Sequence, residues 1–352
     1  MKLFLLFFLF YSNVDLFKEP LDSLLIKGLD FAYREKYKEA QAYFDLAIKF
    51  YPEHPGGYLY KAGLLDLYMI DFSTDEREEE FYNLVDMAVK KARKMRRDHI
   101  SKDSLALSYF FEGSAFSYRA VREGRKKKFI PALKYGFKAV KLLKKSVELD
   151  SSLYDAYLPL GTYSYALSKI PKVLRWFLPD DGSKEDGLRK MELAAKKAKY
   201  VKILAMDAYA WTLAYDGQAD SAVKVAQKLV EMYPGTRAFR WTLSYALRKA
   251  GKWREAEKTH RVIFYLTVRD QKDYPYDIAL SLYWLAICNY INGRKTEAIV
   301  HADAALLVLR GASNNPKVNK LRRGLEKLDK KLEKYRRLKT YIDPAGVEDY
   351  GP

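Results

Sequence analysis

The stretch Leu21–Pro52, LDSLLIKGLDFAYREKYKEAQAYFDLAIKFYP, decides the fold. Counting Leu21 as position 1, the residues Leu24, Gly28, Phe31, Ala40, Phe44, Ala47 and Pro52 fall at positions 4, 8, 11, 20, 24, 27 and 32. Small residues at 8, 20 and 27 let two helices approach closely, and the bulky positions fill the gap to a neighbouring hairpin. A single hairpin of this kind cannot bury its apolar face alone, so copies of it must stack.

Copies follow as far as Ala298. After Pro52-Glu53-His54-Pro55 come Tyr58, Ala62 and Leu65 in register, then Tyr109, Gly113 and Phe116. A fourth copy holds Tyr157, Leu160, Gly161, Tyr163 and Tyr165, and a fifth runs from Ala210-Trp211 to Ala222, Ala226 and Pro234. The sixth contains Leu243, Ser244, Gly251, Trp253 and Ala256; the seventh contains Trp284, Leu285, Ala286, Gly293, Ala298, Ala302 and Ala305. This pattern resembles the tetratricopeptide repeat (TPR), a pair of antiparallel helices of about 34 residues. The resemblance covers about residues 21–310, is strongest at the ends and is loosest over about 70–200. It implies an all-α, right-handed superhelical solenoid of about seven helix-turn-helix repeats, which binds a partner in its groove.

The spacing of equivalent small residues is uneven. Gly28 to Ala62 and Ala210 to Ser244 are each 34 residues, but the three intervals between Ala62 and Ala210 are 51, 48 and 49. The excess is expected in lengthened helices or in insertions within hairpins, which map to one edge of a solenoid. Three candidate insertions are Asp71–Asp75, the basic run Arg122–Lys128, and Lys169–Gly182. The last contains the apolar stretch Ile170–Pro179, whose Trp176 and Phe177 either plug a gap between hairpins or form an exposed apolar lip.

Both ends of the chain have their own character. Lys2 followed by the apolar run Leu3–Tyr11 fits a secretory signal peptide over residues 1–14 and is short for a membrane span. Export to the periplasm or beyond is therefore expected, with an uncleaved N-terminal membrane anchor as the alternative. Near the other end, Val318, Leu321, Leu325, Leu328, Leu332 and Tyr335 form one apolar stripe on a helix over 316–339 whose remaining face is basic. Such a helix suits the capping of a terminal repeat, and residues 340–352 read as an irregular tail.

A hydrophobic fraction of 49% excludes wholesale disorder. The net charge of +18 favours acidic partners, either anionic membrane and cell-envelope polymer or an acidic protein. Its plainer reading is solvated Lys and Glu on helix faces, and nucleic acid is not favoured. The one cysteine, Cys288, rules out an intramolecular disulfide and reads as an inert packed thiol.

Nothing in the chain marks a catalytic centre. His54, His99, His260 and His301 are scattered without metal-ligand spacing, and His260 and His301 fall at or beside packing positions of second helices. Nucleophile-elbow, phosphate-loop and dinucleotide motifs are absent. Acidic pairs such as Asp180-Asp181 and Glu185-Asp186 lie near helix starts, where carboxylates complement the helix dipole. No catalysis, cofactor or metal is expected.

The resemblance places ligand contacts at positions 2, 5, 9, 12 and 13 of each first helix. In the fourth repeat these are Asp155, Leu158, Thr162, Tyr165 and Ala166; in the fifth they are Leu204, Asp207, Trp211, Ala214 and Tyr215. The sixth gives Ala238, Trp241, Tyr245, Arg248 and Lys249, and the seventh Leu280, Tyr283, Ile287, Tyr290 and Ile291. Tyr165, Asp207, Trp211, Tyr215, Trp241, Tyr245, Arg248, Lys249, Tyr283 and Tyr290 are thus the candidate groove residues for a protein or peptide partner. Tyr, Trp and Arg dominate binding hot spots; the alternative is that these rings are buried in a concave core. Co-chaperones that clamp a terminal carboxylate carry Lys and Asn at positions 5 and 9 of their first repeat. Leu25 and Leu29 stand there, which argues against that clamp.

Overall fold

The computed structural model describes residues 19–98, 101–170, 182–270, 275–312 and 315–342. All regular structure among them is helical. Helices α1 (Leu21–Tyr33) and α2 (Tyr37–Phe50) form the first pair, α3 (Pro55–Asp71) and α4 (Glu78–Arg97) the second, and α5 (Lys102–Arg125) and α6 (Phe129–Leu149) the third. A 3₁₀ turn at Tyr154–Ala156 leads into α7 (Tyr157–Ser168) and α8 (Lys184–Lys197). Next come α9 (Lys202–Tyr215) with α10 (Ala219–Met232), then α11 (Arg237–Lys249) with α12 (Trp253–Asp270). The last pair is α13 (Pro275–Ile291) and α14 (Lys295–Arg310), followed by a single helix, α15 (Pro316–Ile342). The chain divides into two compact units between Tyr209 and Ala210.

The first pair shows why this sequence folds as hairpins. Ala40, Phe44 and Ala47 lose essentially all exposure, and the Phe44 ring lies over Gly28, where a Cβ would stand 2.5 Å from Phe44 Cε1. The first helix of each of six pairs ends alike. Glu35, Ser73 and Lys127 hold φ of 60°, 49° and 60°, and Gly217, Gly251 and Gly293 hold 89°, 72° and 86°, each two residues past the end of its helix. One left-handed residue at that place satisfies the last carbonyls and reverses the chain. The repeat is therefore carried by backbone geometry as well as by side chains.

In unit 1 the excess length goes mainly into helices. α3 to α6 have 17, 20, 24 and 21 residues, against 13 and 14 in the first pair. The basic candidate insertion Arg122–Lys128 is corrected accordingly: Arg122 to Arg125 are the last turn of α5, and only Lys126–Lys128 form the turn. Arg122 is buried there, with Nε 3.1 Å from Glu78 and its other nitrogens meeting Asp75 and Asp66. Those acids prolong the helix past the point where the sequence looks like a loop. Residues 169–183 separate α7 from α8; the lip residues Trp176 and Phe177, the segment 1–14 read as a signal peptide and residues 343–352 lie outside the described residues, whereas Thr340–Ile342, read as irregular tail, continue α15 because its helical hydrogen bonding runs on through them.

Several starts are capped by name. Ser101 and Ser104 form a reciprocal capping box at α5, and Ser183 Oγ accepts from Asp186 N at 3.0 Å at α8. Asp155 accepts the backbone N–H groups of Lys199, Tyr200 and Val201 at 2.8–2.9 Å, tying the start of α7 to the chain entering α9.

His54 caps α3, its Nδ1 accepting from Gly56 N at 3.0 Å, and it lies edge-on to Phe111. Burial lowers its pKa from 6.5 to about 4, so the folded form holds neutral imidazole while the unfolded chain takes up a proton below pH 6.5. Stability from this group is complete above that pH and is lost as the pH falls towards 4. Between pH 7 and 5 the loss should be about 2 kcal/mol. Asparagine keeps a capping acceptor without a titrating ring. Urea unfolding at both pH values should show this component in the wild type and not in His54→Asn; equal pH slopes would contradict it.

In unit 2, His260 is fully buried and its Nε2 lies 2.7 Å from Ser244 Oγ, across the α11–α12 pair. His301 Nδ1 lies 2.7 Å from the Glu297 carbonyl oxygen. Both occupy the packing positions expected of them. Cys288 is buried, and burial pushes its thiol up to about 11. Val318, Leu321, Leu325, Leu328 and Leu332 of α15 are buried with Ala302, Ala305 and Leu309 of α14 in one cluster. Arg336 adds ion pairs to Asp303 and Asp329. The last helix therefore covers the last pair. Among the described residues no helix is long and apolar enough to cross a membrane.

Candidate functional site

Unit 2 contains a cleft of about 550 Å³ lined by Trp211, Trp241, Tyr245, Arg248, Lys249, Trp253, Leu280 and Trp284. It is built from the first helices of successive pairs, with Trp253 at the start of α12. Trp211 is 47% exposed and stacks on Tyr245 at 4.2 Å between ring centroids and 19° between planes. Trp241 and Trp284 both pack on the buried ring of His260, at 5.3 and 6.1 Å. Burial holds that imidazole well below its ordinary pKa, so the floor under the rings is neutral.

The Arg248 guanidinium lies over the Trp284 ring, Cζ to centroid 3.4 Å, and Nε donates to the Ser244 carbonyl oxygen at 3.2 Å. Burial lowers its pKa to about 10, leaving it charged at neutral pH. Lys249 stands 5.7 Å from the centre of the Tyr245 ring. Among the described residues neither cation forms an ion pair with a carboxylate. Elsewhere the chain pairs its buried arginine amply, as at Arg122 with Asp66, Asp75 and Glu78.

Six residues read from the sequence line this cleft: Trp211, Trp241, Tyr245, Arg248, Lys249 and Leu280. The structure does not bring the others there. Tyr283 turns towards α15, where a Cβ on Gly324 would lie 3.0 Å from its hydroxyl. Tyr290 is half-buried in the cluster under α15, with Lys295 Nζ 3.7 Å from its ring centre. The capping helix takes the face that these two positions would offer to a ligand. Tyr215 is 59% exposed at the end of α9 and outside the cleft. Asp207 and Tyr165 are half-buried in unit 1, Tyr165 packing against Gly187, where a Cβ would lie 2.8 Å from its own.

Trp253 and Trp284 were readable only as repeat packing.

Unit 1 has a second cavity, of about 390 Å³, lined among others by Tyr60, Phe110, Tyr118, Val121, Leu158 and Leu204. Asp155, Leu158, Thr162 and Ala166, four of the five contact positions of the fourth repeat, line it, and Tyr165 does not. The Tyr60 hydroxyl is buried there without a hydrogen-bond partner. Among the described residues no group of His, Cys, Asp and Glu is placed to hold a metal ion.

No family model and no curated protein matches this sequence. Solved structures do show likenesses. The crystal structure of YrrB, a TPR protein with an unusual peptide-binding site, is similar at 17% identity and a TM-score of 0.42, over 63% of this chain and 93% of that one. The C-terminal part of a TPR repeat-containing protein from Cytophaga hutchinsonii is similar at 14% identity and 0.45, over 83% and 97%. The TPR domain of P58(IPK) is similar at 14% identity and 0.29, over 90% and 99%. The fold class rests on the seven helix pairs and final helix of the described residues, and by them the chain is an all-α helical-repeat protein.

Proposed function

We propose that this chain is a non-catalytic scaffold that binds an acidic peptide or protein segment in the aromatic cleft of its second unit. The cleft carries the reading: four tryptophans and a tyrosine surround Arg248, a guanidinium stacked on Trp284 with no carboxylate partner among the described residues. Rings of this kind give large contact area at low entropic cost, and a planar guanidinium grips a carboxylate through two parallel hydrogen bonds. Export to the cell envelope belongs to the same proposal and is supported by Lys2 and the apolar run behind it.

The test is capture of a randomised pool of N-acetylated, C-amidated octapeptides by the immobilised full chain. Wild type should retain peptides enriched in Asp and Glu. Trp241→Ala with Tyr245→Ala should lose capture by about a hundredfold or more, since hot-spot truncations cost at least about 2 kcal/mol each. Arg248→Gln should keep capture and lose the acidic preference, about tenfold. Capture undiminished by the ring substitutions would sink the cleft as the site.

A further inference from the structure

The third hairpin ends in a surface that the peptide-binding reading does not use. Lys126, Lys127 and Lys128 form its turn, and α6 begins directly with Phe129 and Ile130. Phe129 is 68% exposed and Ile130 82%, the most exposed large apolar residues among those described, and Leu133 follows one turn later, also exposed. Adjacent exposed Phe and Ile at the tip of two long helices are costly in water, and contiguous apolar patches of this kind mark contact sites. Lysines ring the patch. Lys126 is held by Glu78, but Lys127, Lys128 and Lys134 have no acidic partner among the described residues.

We propose that the turn Lys126–Leu133 is a membrane-docking tip that inserts Phe129 and Ile130 into an anionic lipid surface while the lysines lie among its headgroups.

Two features favour a bilayer over an acidic protein face. First, the patch is a few side chains at a hairpin end, whereas a stable protein contact needs about 800 Å² on each partner. A lipid surface accepts such a tip because its acyl region closes around any apolar shape. Second, Val121 on α5, the helix that leads into the turn, is also exposed, and it lines the cavity of about 390 Å³ in unit 1. The inner wall of that cavity is made of Leu59, Phe110, Val140 and Leu158. An acyl environment matches the exposed Phe129, Ile130 and Val121, and a carboxylate-rich protein surface does not. The lysines then add attraction to anionic headgroups and vanish from the balance over a zwitterionic surface. The exposed apolar lip, one of the two readings of Trp176 and Phe177, thus has a counterpart in described residues of another hairpin.

Co-sedimentation of the full chain with phosphatidylglycerol vesicles tests this, with phosphatidylcholine vesicles alongside. Wild type should bind the anionic vesicles, with affinity falling at least about tenfold when salt shortens the Debye length to about 3 Å. Phe129→Ser with Ile130→Ser should weaken binding about a hundredfold. Both residues are exposed, so an unchanged circular dichroism spectrum is expected. Lys127→Gln with Lys128→Gln should cost about fivefold per lysine. Because Leu3–Tyr11 is apolar too, the comparison is made within the same full chain. Equal binding of the serine double variant and wild type overturns the proposal. So does absence of wild-type binding at low salt, or displacement from the tip by soluble polyglutamate with vesicles left unbound. None of these results bears on peptide capture by the cleft, which sits in the other unit.

Discussion

Phe44→Ala should destabilise the first unit by about 3–5 kcal/mol, the range for emptying a buried aromatic site. Phe44 has no exposure and fills the space between α1 and α2, stacking on Tyr60 of the next pair at 6.4 Å. Its neighbour makes the prediction sharper. Gly28→Ala alone places a methyl 2.5 Å from Phe44 Cε1 and 2.9 Å from Cδ1 and Cζ, so the ring must move. Overpacking of that kind costs about 1–3 kcal/mol, against a helix-propensity gain of about 1 kcal/mol for alanine over glycine. With the ring gone the clash disappears and the gain remains. Gly28→Ala should therefore destabilise wild type and stabilise Phe44→Ala by up to about 1 kcal/mol. Urea unfolding of the four chains measures the coupling, and additive costs would show that Gly28 is not there for the ring.

Gly161→Val should be worse and should have no such rescue. A Cβ at Gly161 would stand 2.8 Å from the Gly187 carbonyl oxygen and 2.9 Å from Met191 N, both backbone atoms of α8. The contact is reciprocal, since a Cβ at Gly187 would lie 2.7 Å from Tyr165 N. Side chains can rotate aside; two helix backbones must separate together. The expected cost is at or above the upper end of the usual overpacking range, about 3–4 kcal/mol. Hydrogen exchange should localise it, with α7 and α8 losing protection first. Wild-type-like exchange in those helices would contradict the close crossing.

Why the fold was legible follows from these positions. Gly28, Ala40, Ala47, Gly161 and Ala210 are small because helices cross there, and a crossing leaves a mark at fixed spacing. Helix length leaves a weaker mark. Gly124 and the lysines after it read as loop, yet Arg122 and Glu123 are buried and engaged with Glu78 and Tyr82, and the helix runs through them. Polar partners some 40 residues away in the sequence, the Glu78 carboxylate and the Tyr82 hydroxyl, hold that last turn, and no local pattern carries them.

The cleft was legible in part for a related reason. A rule that numbers positions within each repeat finds Trp241, Tyr245, Arg248 and Lys249 because they face outward from one helix. It misassigns Tyr283 and Tyr290 because α15 occupies that face of the last pair, and a cap lies outside the repeat. It passes over Trp284 because its neighbours Leu285 and Ala286 are buried, which makes the whole segment read as core. The exposed Phe129 and Ile130 were hidden by the opposite effect, their lysine neighbours drawing the eye to charge.

The most direct test of the binding cleft uses the five tryptophans as reporters. Each indole N–H gives one signal in a ¹⁵N-correlated spectrum of the full chain, assigned by single Trp→Phe variants. Addition of a peptide recovered from the octapeptide pool should shift the signals of Trp211, Trp241, Trp253 and Trp284, which line the cleft, and leave Trp176 in place. Movement of Trp176 alone, with the other four unchanged, would contradict the cleft and place the partner on the 170–179 segment.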